Sequence, residues 1–284
     1  MAISGDGNYA ISTGYNDNRA FLYQKIGSSW QQIFTAICPD DANGNQQDWS
    51  SCDIDYDGNK FVLGARSADN PNGEATGLVQ TFTRSSSGTY LNTTVYGPNS
   101  GSAFGFHVSI TSSGFYFAAT ASNAINPSTS LVDGRISVHN VVNGNMFSFP
   151  STGGNSVIYG NRNTTLGKLG RKTWQSGGIS IDGDYSNNTL WVATTAIENV
   201  NGINNVKVFN VAPTMPEVAS FTVHNSQYAY HIGVTLNNNR WLAIHDAGNS
   251  TYGGNNGLVR VYKLNGSTYS QVGQDLYSSV PTNN

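Results

Sequence analysis

The segment Asp53-x-Asp55-x-Asp57-Gly58 places carboxylates at positions 1, 3 and 5, with a glycine at 6 to turn the chain. Side chains so spaced can converge on a hard, oxygen-seeking cation, Ca²⁺ above all. A weaker version is Asp182-x-Asp184-x-Ser186. An EF-hand loop is excluded, because its obligatory Glu at position 12 is replaced by Gly64. The competing reading is a polar hairpin turn over 55–58, matching Thr111 to Gly114 further along, where no acid stands. Calcium is the one cofactor these residues suggest.

Cys38 and Cys52 are the only cysteines. The polar connection between them is long enough to let a disulfide close, which would fit an oxidising compartment. Alternatively Cys52 is a buried free thiol, since it holds the strand position that Val108 and Val234 hold elsewhere. None of the five histidines has metal-ligand spacing, and His245-Asp246 is the pair best placed at a loop-bearing strand end. The stretch 134–181 contains five bases and no acid. Within it, Arg162, Lys168, Arg171 and Lys172 stand near Trp174, a set suited to an anionic glycan, a phosphate or an acidic protein surface. A solvated loop packed on its neighbour would have the same composition.

Enzymatic chemistry has little to draw on. There is no Gly-x-Ser-x-Gly elbow, P-loop or dinucleotide fingerprint. A glycosidase needs two carboxyl groups across the scissile bond, and the only glutamates are Glu74, Glu198 and Glu217, all in loop-like contexts. Aromatic residues are plentiful enough to stack on sugars, but Trp30, Trp49, Trp174, Trp191 and Trp241 share no repeating position; Trp191 and Trp241 read as core. N-glycosylation acceptors stand at Asn92, Asn163, Asn187, Asn249 and Asn265, as so Asn-rich a chain would give by chance.

Only 11% of the 284 residues are charged and the net charge is −3, which gives no global attraction for nucleic acid or anionic lipid. No apolar run reaches the length of a membrane span, and no secretory leader is visible at residues 1–7. With 32 glycines and three glutamates, the composition favours strands and tight turns over helices.

These strands recur as a unit: an alternating strand, a tight turn, a second strand ending in small residues, a polar loop, then Gly and a third alternating strand. The first turns fall at Gly7, Gly58, Gly114, Asn188 and Asn238, spaced 51, 56, 74 and 50 residues apart. About twenty strands with this period point to radial repetition of four-stranded sheets, a β-propeller, because an open sheet of that size would expose hazardous edges. The expected fold is therefore all-β: a single propeller of five four-stranded blades over 1–37, 48–97, 103–150, 177–222 and 228–277. An insertion is expected at 148–176.

Phe104-Gly105 heading one strand and Gly64-Ala65 ending another resemble the FG-GAP repeat of integrin α-type propellers. Trp30-Gln31-Gln32 and the Gly77-to-Phe82 strand add to the likeness. The match departs from the family in lacking Pro after Gly64-Ala65, where Arg66 stands, and in lacking Phe-Gly in copies one and four. The acid that FG-GAP calcium loops carry at position 9 is here Phe61. The resemblance implies a non-enzymatic interaction or adhesion module outside cells or on virus particles, binding a protein or glycan through rim loops. A carbohydrate-binding propeller is the second expectation and a glycoside hydrolase the third. Neither nucleic acid nor membrane insertion is expected.

Overall fold

The computed structural model describes residues 1–14, 17–41, 43–44, 46–146, 156–160, 168–169, 178–183, 190–198, 203–211, 215–224, 232–237, 241–246 and 257–277. Among the described residues there is no helix long and apolar enough to cross a membrane. Regular structure among these residues is all strand.

The first sheet runs Ala2–Ile3 (β1), Tyr9–Gly14 (β2), Asp17–Ile26 (β3) and Ser29–Ile37 (β4). The second comprises Ser51–Ile54 (β5), Lys60–Ala65 (β6), Leu78–Ser85 (β7) and Gly88–Tyr96 (β8). In the third, Phe104–Ile110 (β9) and Tyr116–Ala121 (β10) are followed by a separate small hairpin, Ile125–Asn126 (β11) with Leu131–Val132 (β12). Arg135–Asn140 (β13) and Val157–Tyr159 (β14) complete that sheet. The fourth contains Lys168–Leu169 (β15), Ile179–Asp182 (β16), Trp191–Glu198 (β17), Ile203–Asn210 (β18) and Glu217–His224 (β19). Ile232–Asn237 (β20), Trp241–Asp246 (β21), Leu258–Asn265 (β22) and Thr268–Gln271 (β23) make the fifth. All pairings within these sheets are antiparallel, so each is an up-and-down meander in sequence order.

The boundary between copies three and four differs from the expectation. Strand β14 and strand β15 both lie inside the stretch expected to be an insertion, 148–176. Strands β15 and β16 line the same edge of β17, Leu169 facing Ala196 and Ile179 facing Thr194. Leu169 thus occupies in sheet four the place that Phe104 holds in sheet three, opposite Ala121. The backbone agrees: Leu169 N donates to Asp133 O and Phe104 N to Thr76 O, at 3.0 and 3.1 Å. The fourth copy therefore has its Phe equivalent in Leu169, which Gly170 follows in the sequence, and its inner edge is made of two separate pieces, β15 and β16.

Successive sheets stack through a repeated contact. The leading face of each sheet, toward the next in sequence, carries a cross-strand apolar pair on its second and third strands plus one more aliphatic. These are Ile11 and Leu22 with Ala20, Ala118 and Val138 with Ile136, and Ala193 and Val208 with Val206. Sheet two uses Val62 and Thr81 with Val79. All twelve side chains are buried, none above 1% exposed. Against them stands the trailing face of the following sheet, with an aromatic ring on the third strand at one register position: Phe82, His139, Phe209 and Tyr262. Phe82 stacks flat on Phe61, ring centres 4.9 Å apart, and His139 stacks on Phe117 at 5.0 Å.

Backbones also meet at this seam. Gly105 has φ of 78°, and a Cβ there would lie 2.2 Å from Leu78 O and 3.0 Å from Gly64 Cα. A Cβ on Gly64 would in turn strike Gly105 O at 2.1 Å. The Phe-Gly and Gly-Ala phrases of neighbouring copies are therefore the two sides of one contact that side chains would block. Gly101, four residues away with φ of 72°, has open space around it. Gly101→Ala is expected to cost only the left-handed strain, about 1–2 kcal/mol. Gly105→Ala adds a backbone collision, so its melting temperature should fall well below that of Gly101→Ala; equal losses would mean the seam is not tightly packed there.

Candidate functional site

The three candidate metal ligands take three different environments. Asp53, on the innermost strand β5, accepts hydrogen bonds from Ser109 Oγ and Ile110 N at its Oδ2, both 2.9 Å, and from Ile54 N at Oδ1, 3.0 Å. Asp55 folds over its own turn and accepts from Asn59 N and Lys60 N, at 2.8 and 3.1 Å. Asp57 is exposed at the turn tip. The carboxylates do not converge, and among the described residues no group of three His, Cys, Asp or Glu side chains is arranged to hold a metal ion. Asp182 is buried, while Asp184 and Ser186 lie outside the described residues.

Asp55 belongs to a repeated turn. Ser4, Asp55 and Thr111 each open the inner hairpin of their sheet. Each accepts through a side-chain oxygen the backbone N–H five residues on, from Tyr9, Lys60 and Tyr116. Oxygen at this position closes the turn, and whether it is hydroxyl or carboxylate is secondary.

Asp53 forms part of a polar relay along the inner strands. Ser109 Oγ, on β9, donates to Asp53 and accepts from Ile181 N on β16 at 3.3 Å, so one hydroxyl ties three sheets together. At the hairpin turns, Asp6 N donates to Tyr56 O and Tyr56 N donates to Ser112 O, at 3.0 and 3.1 Å. The series continues as Ser112 N, at 3.2 Å, and the Ser112 hydroxyl donate to Asp182 Oδ1. Sequence reasoning missed Ser109 and Ser112; their only signal is a small hydroxyl residue beside the turn of the copy that lacks acids.

The two cysteines do not form the expected disulfide; both are free thiols. Cys38 follows the outermost strand of sheet one, whereas Cys52 sits on the innermost strand of sheet two. A bridge needs Cα atoms within about 7 Å, while three strand spacings within a sheet span roughly 14 Å. Burial, with lesser help from Asp48 and Asp40, pushes the Cys38 thiol up to about 12. Cys52 is also raised by burial, and its Sγ reaches Ile11 O at 3.7 Å. Neither is disposed to act as a thiolate at neutral pH.

Of the basic set, Arg162, Arg171, Lys172 and Trp174 lie outside the described residues, and so does the side chain of Lys168. Their anchor points are described: the chain leaves the inner edge of sheet four at Leu169 and returns to it at Gly178, whose O accepts from Thr195 N at 3.1 Å. His139 is buried and structural, bonded to Ser137 Oγ and Gly144 O at 2.9 and 3.0 Å. Burial drives its pKa down to about 4. Trp241, expected in the core, is exposed beneath Lys263, whose Nζ lies 5.1 Å from the ring centre. Glu217 is on the outermost strand of sheet four, paired with the buried Lys207 at 3.1 Å.

With this geometry in hand, comparison with known proteins defines the fold. No protein-family model matches the chain, and no curated protein matches it in sequence. Among solved structures, Sqt1 of Chaetomium thermophilum is similar over 95% of this chain and 57% of its own, at 13% identity and a TM-score of 0.52. A functionally unknown protein of Desulfotomaculum acetoxidans DSM 771 is similar over 99% and 70%, at 10% identity and 0.56. Hsv2 of Kluyvelomyces marxianus is similar over 93% and 69%, at 7% identity and 0.50. The chain thus spans from just over half to about seven-tenths of the length of these proteins. The fold is that of a β-propeller.

Asp53 offers a direct check on the relay. By accessible surface it is half-buried, yet protein atoms enclose the carboxylate. Loss of solvation outweighs its three hydrogen bonds and raises its pKa from 3.8 to about 6. An acid whose folded pKa is raised contributes stability below its unfolded value, near 3.8, that is lost as pH rises past about 6. The loss is at most about 3 kcal/mol, less any solvent screening. Carboxyl ¹³C NMR should find Asp53 titrating near pH 6; a midpoint at or below 4 would show that the hydrogen bonds dominate.

Proposed function

We propose that this chain is a non-enzymatic, five-bladed FG-GAP-like propeller that binds a protein or glycan partner through a rim loop, on a cell surface or virus particle. The observation that carries this reading is where the basic segment is rooted. The five bases of residues 134–181 face no acid within that stretch, and two of them, Arg171 and Lys172, stand with Trp174 between Leu169 and Gly178, which are both fixed on the innermost edge of sheet four. A loop rooted there is held by a packed sheet and is free to carry charge and an aromatic ring to a partner. The inner-strand carboxylates, in contrast, are engaged in hydrogen bonds between and within sheets. That engagement favours binding over acid–base catalysis.

The expected partner surface is anionic: sulfated or carboxylated glycan, or an acidic protein patch. Arginine and lysine beside tryptophan suit such a surface, with charge giving attraction and the ring giving contact area. Arg171→Glu combined with Lys172→Glu should lower binding to an acidic-glycan array or heparin resin at least tenfold, and binding by the unsubstituted chain should weaken with salt. Unchanged retention of the doubly reversed variant would overturn this reading.

A further inference from the structure

Among the described residues, the first and last sheets each leave one face uncovered, and the two faces carry opposite halves of the seam that joins the sheets inside the molecule. On the leading face of sheet five, Ala243 pairs with Val261 across β21 and β22, with Val259 two residues away. This set matches Ala118, Val138 and Ile136 in sheet three and Ala193, Val208 and Val206 in sheet four, position for position. The six interior residues are wholly buried, whereas Ala243, Val259 and Val261 are half-exposed. On the trailing face of sheet one, Tyr23 stands opposite Ala10 at the position of Phe82, His139, Phe209 and Tyr262, with Phe21 opposite Ser12 beside it. These four residues are half-exposed too, and Ile3 and Ile37 of the same sheet are 56% and 65% exposed.

We infer that the leading face of sheet five docks on the trailing face of sheet one of a second copy of this chain, head to tail. The match is the same aliphatic set against an aromatic column that closes the interior seams. Within one copy, and among the described residues, no strand of sheet one packs on a strand of sheet five as successive sheets pack on one another. Because the two faces differ, the contact is heterologous and the pair as a whole keeps one free face of each kind, so assembly can continue beyond two. This inference does not depend on the partner proposed above.

Sedimentation velocity over a wide concentration range tests it. The unsubstituted chain is expected to grow beyond one copy as concentration rises. Val261→Arg, which spoils only the leading face, and Ala10→Arg, which spoils only the trailing face, should each sediment as single copies with unchanged circular dichroism. An equimolar mixture of the two should form a two-copy species and stop there, since one intact face of each kind remains. Tyr90→Lys, on the exposed outer strand β8, should assemble like the original chain. A single copy at all concentrations, or unaltered assembly by either arginine variant, would overturn the inference. If a variant loses its strand signal, Val261→Thr and Ala10→Ser, milder on the same faces, are expected to weaken assembly in proportion, and unchanged assembly by both would again overturn it.

Discussion

The seam between neighbouring sheets is the contact on which the rest of this molecule depends. A four-stranded antiparallel sheet of short strands has too little buried surface to stand alone, and each repeat here becomes stable by covering the next. The covering has two components. Aliphatic side chains of one leading face meet an aromatic column on the following trailing face, and glycines allow the backbones to approach where those faces converge. The second strands of sheets two, three and four are consequently buried on both sides, as β6 and β10 are beyond their first residue and β17 is from Val192 to Ala196. Those of sheets one and five are buried on one side only.

Much of this was legible in the sequence, and the reasons for the exceptions are physical. The period, the meander and the inner turns follow from alternation and glycine placement, which act locally. The end of the third repeat was not legible, because β14 is three residues long and the following inner strand begins with Leu169 in place of Phe. Burial selects for apolar volume there, and leucine supplies it without the recognisable motif. The Asp53-to-Asp57 segment misled in the opposite direction. Its spacing matches a cation loop, but one carboxylate is drawn across to sheet three and another onto its own turn. Only the neighbouring sheet reveals the first of these pulls. The cysteines similarly look near enough in sequence to pair, while the chain between them crosses from the outer edge of one sheet to the inner edge of the next.

Trp241 connects the fold to the ends of the molecule. Its place in a second strand reads as core, but it is the first residue of β21, and the matching residues Lys60, Tyr116 and Trp191 are only half-buried even in sheets covered on both sides. Trp241 is more exposed still, because among the described residues no sheet packs on its face. The low charge fits the same scheme. At 11% charged residues, inner strands and turns are solvated or closed by hydroxyls and amides, and the few ionised groups are left to tie sheets together or to extend from loops.

Hydrogen–deuterium exchange of the second strands tests most directly whether the seams hold the fold. Strands β6, β10 and β17, covered on both faces, are expected to exchange only through global unfolding. Strands β2 and β21, covered on one face in the single copy, should exchange markedly faster at low protein concentration. Equal protection of all five strands in a single copy would contradict the account, because it would mean that the end sheets owe their stability to something other than the seam.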